Sequence, residues 1–334
     1  MVTARPDTDL GGAIDGLIDY PYGCGEQLGS TIDGLLAALS VDPSHSGRDP
    51  ESIRTMAETG FRKLWRIQCT DGSIPYWSGK KGDDWLTVRT AAIAQEADRL
   101  GISLPPAFLD GLVAATANRI RKSSTRDLQP LAVRVLADAG RIDAAMLQVV
   151  TNDAARFAIG DRAQIAHTLE SVGRTDDAER IFDSITTPEL SPPTVDGRFD
   201  SDVVQASLAL NVLMSHRPDH PLIVPMLDFI LSNRHDGRWR TTYETAAAVK
   251  AVAAWSDRHP ADEVIDGEIL IGGESVLVKG PEIVRRRFEL PAGTSLQDAD
   301  EFAIAKGDAS IHLNIVTSGI PTRGPSVDVE SNGI

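Results

Sequence analysis

The chain has 334 residues, of which 42% are hydrophobic, and it carries a formal net charge of −15. This length and composition are sufficient for about two globular domains with packed cores. The acidic balance, with scattered lysines and arginines, argues against a nucleic-acid surface and against adhesion to anionic lipid. No run approaches the roughly eighteen consecutive apolar residues of a membrane span, and the N-terminus lacks the apolar core of a signal peptide.

Residues 20 to 27, Tyr-Pro-Tyr-Gly-Cys-Gly-Glu-Gln, are the most informative stretch near the N-terminus. Cys24 precedes Gln27 by three residues, a spacing that permits the thiol to attack the side-chain amide, release ammonia and close an internal thioester. Gly23 and Gly25 can take positive φ at little steric cost, as so small a ring would demand. Helical spacing of apolar residues follows Gln27, so the ring is expected at a helix N-terminus, where backbone N–H groups polarise the acyl oxygen.

Helical periodicity continues from about Asp9 to Trp255 and predicts about twelve helices separated by short breaks. Consecutive helices with short connections lie antiparallel, so a bundle, a solenoid and a closed toroid all fit the pattern. The turn at 71–77 and the turn at 236–239 look like two copies of one unit, which favours a repetitive α/α architecture. One predicted buried face is formed by Ile53, Met56, Ala57, Phe61, Leu64 and Trp65, and another by apolar residues of the segment 206–213.

After His259-Pro260 the pattern changes to short apolar runs that predict about five strands in residues 263–334. Gly272-Gly273 is expected to form the turn of a hairpin. Ile311, Leu313 and Ile315 alternate with polar neighbours, so His312 is expected to point outward. This segment suits a small β-sandwich or part of one.

Residues 23 to 27 resemble the thioester motif of the α2-macroglobulin and complement family, Gly-Cys-Gly-Glu-Gln, at all five positions. Tyr20-Pro21-Tyr22 resembles the bacterial branch of that family. The resemblance covers most of residues 7–258 and departs at Arg89, where many relatives have an aromatic residue, so part of the apolar cover over the thioester is expected to differ. Further runs that resemble the same family lie at 66–68, 71–72, 76–77, 84–87, 236–239 and 241–245.

The resemblance implies a closed α/α toroid over residues 7–258, inserted in a CUB-like β-sandwich whose returning half is 263–334. It also implies a complement-like protease inhibitor of bacterial defence. Cleavage of a bait region elsewhere would expose the thioester, and a lysine amine of the protease would then attack the Gln27 acyl carbon. Such single-use acyl transfer is stoichiometric endopeptidase inhibition and not turnover. The partners implied are target proteases and neighbouring macroglobulin-type domains.

We expect this chain to be a fragment of a longer periplasmic or extracellular protein, because the resemblance begins close to Met1. The predicted site comprises a reactive pair, a supporting loop and a set of shielding aromatics, and Tyr76 and Trp77 suit core packing equally well. No catalytic histidine is carried over, since a lone helical His167 more often has a structural role. The residues in these three groups are Cys24 and Gln27; Gly23, Gly25 and Glu26; and Tyr20, Tyr22, Tyr76 and Trp77.

Two other functions fit parts of the pattern. Asp83, Asp84 and Glu244 are candidate carboxylates for a carbohydrate-active or cyclase-type enzyme on an α/α toroid, although adjacent carboxylates face different sides of a helix. A thioester-inactive structural module is another alternative. Cys24 and Cys69 also allow a single disulfide. No metal or cofactor is expected, because the cysteines and histidines lack ligand spacing and no Gly-rich phosphate loop follows a strand.

Overall fold

The computed structural model describes residues 2–3, 10–20, 23–40, 48–120, 129–185, 201–235, 237–259, 265–271, 274–280, 304–306 and 312–313. The chain divides into two compact units, one formed by Thr8–His259 and the other by Met1–Asp7 together with Pro260–Ile334. The first unit is helical, which confirms the predicted mainly α fold. The predicted domain ranges, 7–258 and 263–334, stay predictions.

The described residues of the first unit form twelve α-helices, in agreement with the predicted number, and a short 3₁₀ turn at Ala154–Arg156. None of these helices is both long enough and apolar enough to cross a bilayer. In chain order the helices are α1 (Gly11–Ile18), α2 (Gly25–Leu39), α3 (Pro50–Ile67), α4 (Asp84–Arg99), α5 (Phe108–Ile120), α6 (Gln129–Asp138), α7 (Ala144–Asn152), α8 (Ile159–Ser171), α9 (Thr175–Asp183), α10 (Asp202–His216), α11 (Ile223–Ser232) and α12 (Thr242–Arg258).

The even-numbered helices form a closed ring. Helix α2 packs on α4, α4 on α6, α6 on α8, α8 on α10, α10 on α12, and α12 returns to α2. The odd-numbered helices pack against the ring, with α1 on α2 and α12, α5 on α4 and α6, and α11 on α10 and α12. This is the contact pattern of two concentric layers of helices, and neither an open solenoid nor an up-and-down bundle has it.

Apolar stripes of the helices supply the core between the two layers. On α3 the residues Ile53, Ala57, Phe61 and Leu64 are buried, as the spacing predicts, whereas Trp65 is 47% exposed and does not belong to that face. Trp65 directly follows the buried Leu64, and one residue rotates a helix by about 100°, so the two side chains leave the helix on different faces. On α10 the predicted residues Ala206, Leu210, Val212 and Leu213 are buried, whereas Leu208 is only partly buried.

The second unit contains five short strands among its described residues. Strand β1 (Val2–Thr3) pairs antiparallel with β5 (His312–Leu313), with Val2 opposite Leu313. Strand β2 (Ile265–Ile271) lies between β3 (Glu274–Gly280) and β4 (Ile304–Lys306), and both neighbours are antiparallel to it. Ile271 pairs with Glu274, so β2 and β3 form the predicted hairpin. Ile311, Ile315 and the side chain of His312 lie outside the described residues, and the CUB-like sandwich stays a prediction.

Candidate functional site

The loop before α2 is held against the segment that precedes α4. The backbone N–H of Gly25 donates to the Tyr76 carbonyl oxygen at 2.8 Å. A Cβ at position 25 would lie 2.5 Å from the Pro75 carbonyl oxygen. Neither Gly23 nor Gly25 has positive φ, so the expectation that both glycines supply unusual backbone angles is wrong. Gly25 is required instead because a neighbouring backbone leaves no room for a side chain.

Cys24 and Gln27 meet across the first turn of α2. Cys24 is buried and occupies the N-cap position, where its carbonyl accepts the Leu28 N–H at 3.0 Å. Its own N–H donates to Oε1 of Gln27 at 3.1 Å, which folds the carboxamide back toward the cysteine. The Thr31 hydroxyl donates to the backbone carbonyl oxygen of Gln27 at 2.9 Å and stabilises the turn. An N–H at the positive end of a helix therefore polarises the amide that the thiol would attack.

The segment from Ile74 to Asp83 is the platform beneath this loop. Ile74 and Asp83 pair as an isolated bridge, with the Asp83 N–H donating to the Ile74 carbonyl at 2.9 Å. The Ile74 N–H in turn donates to the Thr87 hydroxyl at 3.0 Å. Asp83 also caps α4 by accepting the Leu86 N–H at 2.9 Å. The platform is thus fixed to the start of α4, and it fixes the start of α2.

These contacts also account for the carboxylates of the alternative enzyme. Asp83 is a helix cap, Asp84 pairs with Arg119, and Glu244 lies 3.5 Å from Arg240 at the start of α12. Each has a structural partner, so they do not form the free acid and base that glycoside hydrolysis requires. Both cysteines are free, Cys24 buried and Cys69 half-buried, so the disulfide alternative is wrong.

The aromatic residues predicted to shield the thioester differ in their surroundings. Tyr76 is half-buried, and burial, together with the negative groups of Asp83, Glu26 and Cys24, raises the pKa of its phenol well above the usual value. Trp77 is 55% exposed and Tyr20 is 38% exposed. Tyr22 lies outside the described residues. Of the predicted set, the structure brings Tyr76 to the motif and leaves Trp77 and Tyr20 at the surface.

The motif residue Glu26 is buried beneath the loop. It is 3% exposed, and its carboxylate accepts hydrogen bonds from the Ser30 hydroxyl at 2.6 Å and the Thr242 hydroxyl at 2.8 Å. Nη1 of Arg89 lies 3.6 Å from the same carboxylate. Because Thr242 begins α12 and Arg89 lies on α4, this one carboxylate joins three ring helices at the end of the ring where α2 begins.

Arg89 is also 3% exposed, and its guanidinium has further partners. It donates to the Ser30 hydroxyl at 3.0 Å, lies 3.5 Å from Asp33, and stands 4.3 Å from the centre of the Tyr243 ring. The departure from the family pattern at this position therefore places a buried cation inside the ring. The pairing of Arg89 with these residues was not predicted from the sequence. A signal for it was present, because the polar residues 26, 30 and 33 recur on one face of an otherwise apolar helix, which indicates a buried partner.

Beyond Asp33, further ion pairs between the ring helices involve Lys250. Lys250 lies 3.2 Å from the Asp33 carboxylate and pairs with Glu96, which joins α12 to α2 and α4. Burial acts to lower the pKa of Lys250, but Asp33 and Glu96 act in the opposite direction and the pKa is raised overall. Two cations and three carboxylates, Glu26, Asp33 and Glu96, are thus packed together where helices α2, α4 and α12 meet.

His167 pairs with another histidine and not with the motif. Its Nδ1 lies 2.7 Å from Nε2 of His216, whose Nδ1 lies 2.5 Å from Glu170. Burial, together with the positive charges of Arg134, His216 and Arg99, lowers the pKa of His167 to about 3. Within the part of the chain that the structure describes, no three His, Cys, Asp or Glu side chains are arranged to hold a metal ion.

A cavity of about 610 Å³ opens at the ends of α10 and α12. Its wall includes Tyr20, Ser201, Trp239, Thr242 and Glu244. Ser201 and Thr241 cap α10 and α12, so the cavity lies at the N-terminal ends of both helices. Thr242 belongs both to this wall and to the hydrogen bonds of Glu26. The Cys24–Gln27 turn and the cavity therefore share one end of the ring.

These features define a class of helical-ring domain in which a Cys-Gly-Glu-Gln turn begins one of the ring helices. No family model matches the chain. In sequence it is similar to the alpha-2-macroglobulin of Escherichia coli K12, with 24% identity over 284 residues. That match covers 77% of this chain and 17% of the Escherichia coli protein, so the chain spans about a sixth of its relative's length.

Solved structures of bacterial alpha-2-macroglobulins have the same fold. The native Escherichia coli protein from domain MG7 to the C-terminus has a TM-score of 0.69 at 18% identity, covering 84% of this chain and 46% of that one. Salmonella alpha-2-macroglobulin reacted with methylamine has a TM-score of 0.65 at 20% identity, with coverages of 84% and 19%. Escherichia coli alpha-2-macroglobulin activated by porcine elastase has a TM-score of 0.59 at 19% identity, with coverages of 84% and 26%.

Proposed function

We propose that this chain is the thioester-bearing domain of a bacterial protease inhibitor of the α2-macroglobulin type. The observation that carries the proposal is the 3.1 Å hydrogen bond from the Cys24 N–H to Oε1 of Gln27, which folds the carboxamide back toward the residue that carries the thiol. The complete Gly-Cys-Gly-Glu-Gln motif and the similarity to bacterial alpha-2-macroglobulins support it.

The proposed chemistry has two steps. In the first, a bond forms between Sγ of Cys24 and Cδ of Gln27, the C–N bond of the carboxamide breaks, and ammonia leaves with the thiol proton. In the second, an uncharged amine of the target attacks the same carbon, an amide forms at Gln27, and the Cys24 thiol is released. The thioester is consumed in the reaction, so inhibition is stoichiometric.

The proposed targets are proteases, which react through the amines of their surface lysines. One of the similar solved proteins is described as activated by porcine elastase, and another as reacted with methylamine, a small amine. Bait cleavage would take place in other domains of a longer protein, where macroglobulin-type neighbours adjoin this one. We place that protein in the periplasm or outside the cell, and we assign the second unit to a CUB-like sandwich.

The thioester would need protection from water until the target arrives. Tyr76, half-buried beside the motif, is the best-placed shield among the described residues. Trp77 and Tyr20 are exposed in this chain and would protect the site only where a neighbouring domain holds them over it. Tyr22 remains a proposed shield on the resemblance alone.

Intact mass spectrometry of the freshly purified protein tests the proposal. We expect the wild-type chain to be lighter than its encoded mass by one ammonia. Treatment with methylamine should add one methylamide at Gln27 and one free thiol at Cys24, located by peptide mapping of residues 20–40. Cys24→Ala and Gln27→Ala are the matched controls, and both should have full mass and no uptake. A wild-type chain at full mass, or methylamine uptake that persists in Cys24→Ala, would contradict the proposed function.

A further inference from the structure

We propose that Arg89 is a positioning residue for thioester closure and that it acts through Glu26. This inference rests on the proposed function. Glu26 stands between Cys24 and Gln27 in the chain and is part of the ring that would close, so its orientation fixes the rotation of the first turn of α2. Arg89 lies on another helix and contacts this turn through the Glu26 carboxylate and through Ser30.

The contacts of Glu26 direct its carboxylate into the helical ring. Ser30 and Thr242 each donate one hydrogen bond to it, and Arg89 supplies the positive charge at 3.6 Å. A side chain with three partners from three helices has one orientation. The backbone of Glu26 is fixed with it, and so is the direction in which the flanking Cys24 and Gln27 side chains leave the turn.

The charge of Glu26 also bears on the reaction. Closure needs a thiolate at Cys24 and develops negative charge on the Gln27 oxygen, and a buried carboxylate without a counter-charge disfavours both. Arg89 supplies that counter-charge within the ring interior. Its positive charge also acts at the platform, where it lowers the pKa of Tyr76 against burial and the charges of Asp83, Glu26 and Cys24, which raise that pKa.

Arg89 is itself held in place from several sides. Its guanidinium lies over the ring of Tyr243 at 4.3 Å and over that of Trp85 at 5.5 Å, and the two rings meet edge to face. The Asp33 carboxylate lies 3.5 Å from Nη2, the other terminal nitrogen of the Arg89 guanidinium. These residues belong to α12, α4 and α2, so closure of the helical ring sets the position of the guanidinium, and the guanidinium sets that of Glu26.

The test compares Arg89→Met with Arg134→Met. Arg134 is a largely buried arginine on α6 that donates to Gln164 and lies 3.9 Å from Asp138, and it feels the charges of Asp33 and Glu96 as well. The readouts are the fraction of chains lighter by one ammonia, methylamine uptake at Gln27, and the thermal midpoint by far-UV circular dichroism. We expect Arg89→Met to lower the thioester-bearing fraction by about tenfold, as an unpaired buried charge would. Arg134→Met should lower the thermal midpoint and keep the fraction.

A rescue variant separates positioning from general destabilisation. In Glu26→Gln/Arg89→Met the buried charge is removed together with its partner. One of the Ser30 and Thr242 hydroxyls can still donate to the carboxamide oxygen, and the other can accept a hydrogen bond from the carboxamide NH2. We expect this variant to recover the thioester-bearing fraction to within about threefold of wild type. A folded double variant without thioester would overturn the inference.

Every outcome distinguishes the inference from the proposed function. A wild-type chain with thioester and a folded Arg89→Met chain with the same content would overturn the inference alone. A wild-type chain at full mass would overturn the proposed function and the inference with it. Should Arg89→Met fail to fold, Arg89→Lys is measured instead, because it keeps the charge and loses the planar fork. If the thioester content of Arg89→Lys is below that of Arg134→Met, the inference is supported. If it is equal or higher, the inference is overturned.

Discussion

The backbone N–H of Gly25 donates a hydrogen bond to the Tyr76 carbonyl oxygen at 2.8 Å, and this contact joins the loop before α2 to a platform that lies far along the chain. A Cβ at Gly25 would lie 2.5 Å from the Pro75 carbonyl oxygen and 2.9 Å from Cδ2 of Leu86. The first of these neighbours is backbone, which cannot turn aside as the end of a side chain can. The start of α2 is therefore fixed by a close approach between two backbones.

Gly25→Ala should separate the loop from its platform. We expect a loss of about 1 to 3 kcal/mol in the free energy of unfolding, because backbone must move to admit the methyl group. The thioester-bearing fraction should fall as well, measured by intact mass. Gly23→Ala is the matched control: position 23 has no neighbour within 4 Å of a Cβ, so stability and thioester content should be unchanged. Equal behaviour of the two variants would contradict this account of the loop.

Tyr76 and Trp77 are adjacent, but only the first is expected to protect the thioester. Tyr76 is half-buried near Cys24, whereas Trp77 is 55% exposed. Tyr76→Ala should raise the rate of thioester hydrolysis by about fivefold, because water gains access to the acyl carbon. Trp77→Ala should change that rate by less than about twofold. The rate is followed as the appearance of the Cys24 thiol, and a larger effect from Trp77→Ala would mean that the exposed indole is the shield.

Lys250 neutralises two carboxylates from neighbouring helices. Lys250→Met should lower the free energy of unfolding by about 2 kcal/mol, less than for a fully buried pair because the lysine side chain is a quarter exposed. Lys63→Met, on the exposed face of α3, should change it by less than about 0.5 kcal/mol. Chemical denaturation of both variants measures the difference.

The raised pKa of Lys250 fixes the pH range of this effect. Its stabilising charge is fully present below the ordinary value of 10.5 and is lost only as the pH rises through the higher folded value. The difference between wild type and Lys250→Met should therefore be the same at pH 7 and at pH 9. A difference that shrinks between these two values would show that the pKa of Lys250 in the folded chain lies below the ordinary value of 10.5 and is not raised.

His167 should make the helical ring sensitive to acid. Its pKa is about 3 in the folded chain and about 6.5 when unperturbed, so between these values the unfolded chain binds the proton and the folded chain does not. Stability therefore falls as the pH is lowered from 6.5, by about 2 kcal/mol at pH 5. The groups that face the imidazole are His216 and, through it, Glu170, with Arg134 nearby.

Urea denaturation at pH 7 and pH 5 measures this sensitivity. His167→Gln should remove about 2 kcal/mol of the difference in the free energy of unfolding between the two pH values. His235→Gln, at an exposed position, serves as the control and should keep the wild-type difference. If the wild type and His167→Gln lose stability in parallel, the acid sensitivity arises elsewhere.

Local patterns in the sequence predicted much of the fold. The helical periodicity gave the mainly α class and the number of helices, because each helix repeats its apolar residues within a few positions. The Gly272-Gly273 pair likewise indicated the hairpin of β2 and β3. Trp65 was misplaced by the same reasoning, since spacing alone does not tell which edge of an apolar stripe faces the core.

By itself, the sequence determined the meeting of Cys24 and Gln27, because three residues span one helical turn and a helix that begins at Gly25 brings the two together. The tertiary structure decided what surrounds them. The tight fit of Gly25 against Pro75, the burial of Glu26 with Arg89 and the hydrogen bond from Thr242 all join residues far apart in the chain. The first two contacts depend on α4 and the segment before it packing against α2, and the third depends on α12 closing the ring onto α2. No local spacing encodes either packing.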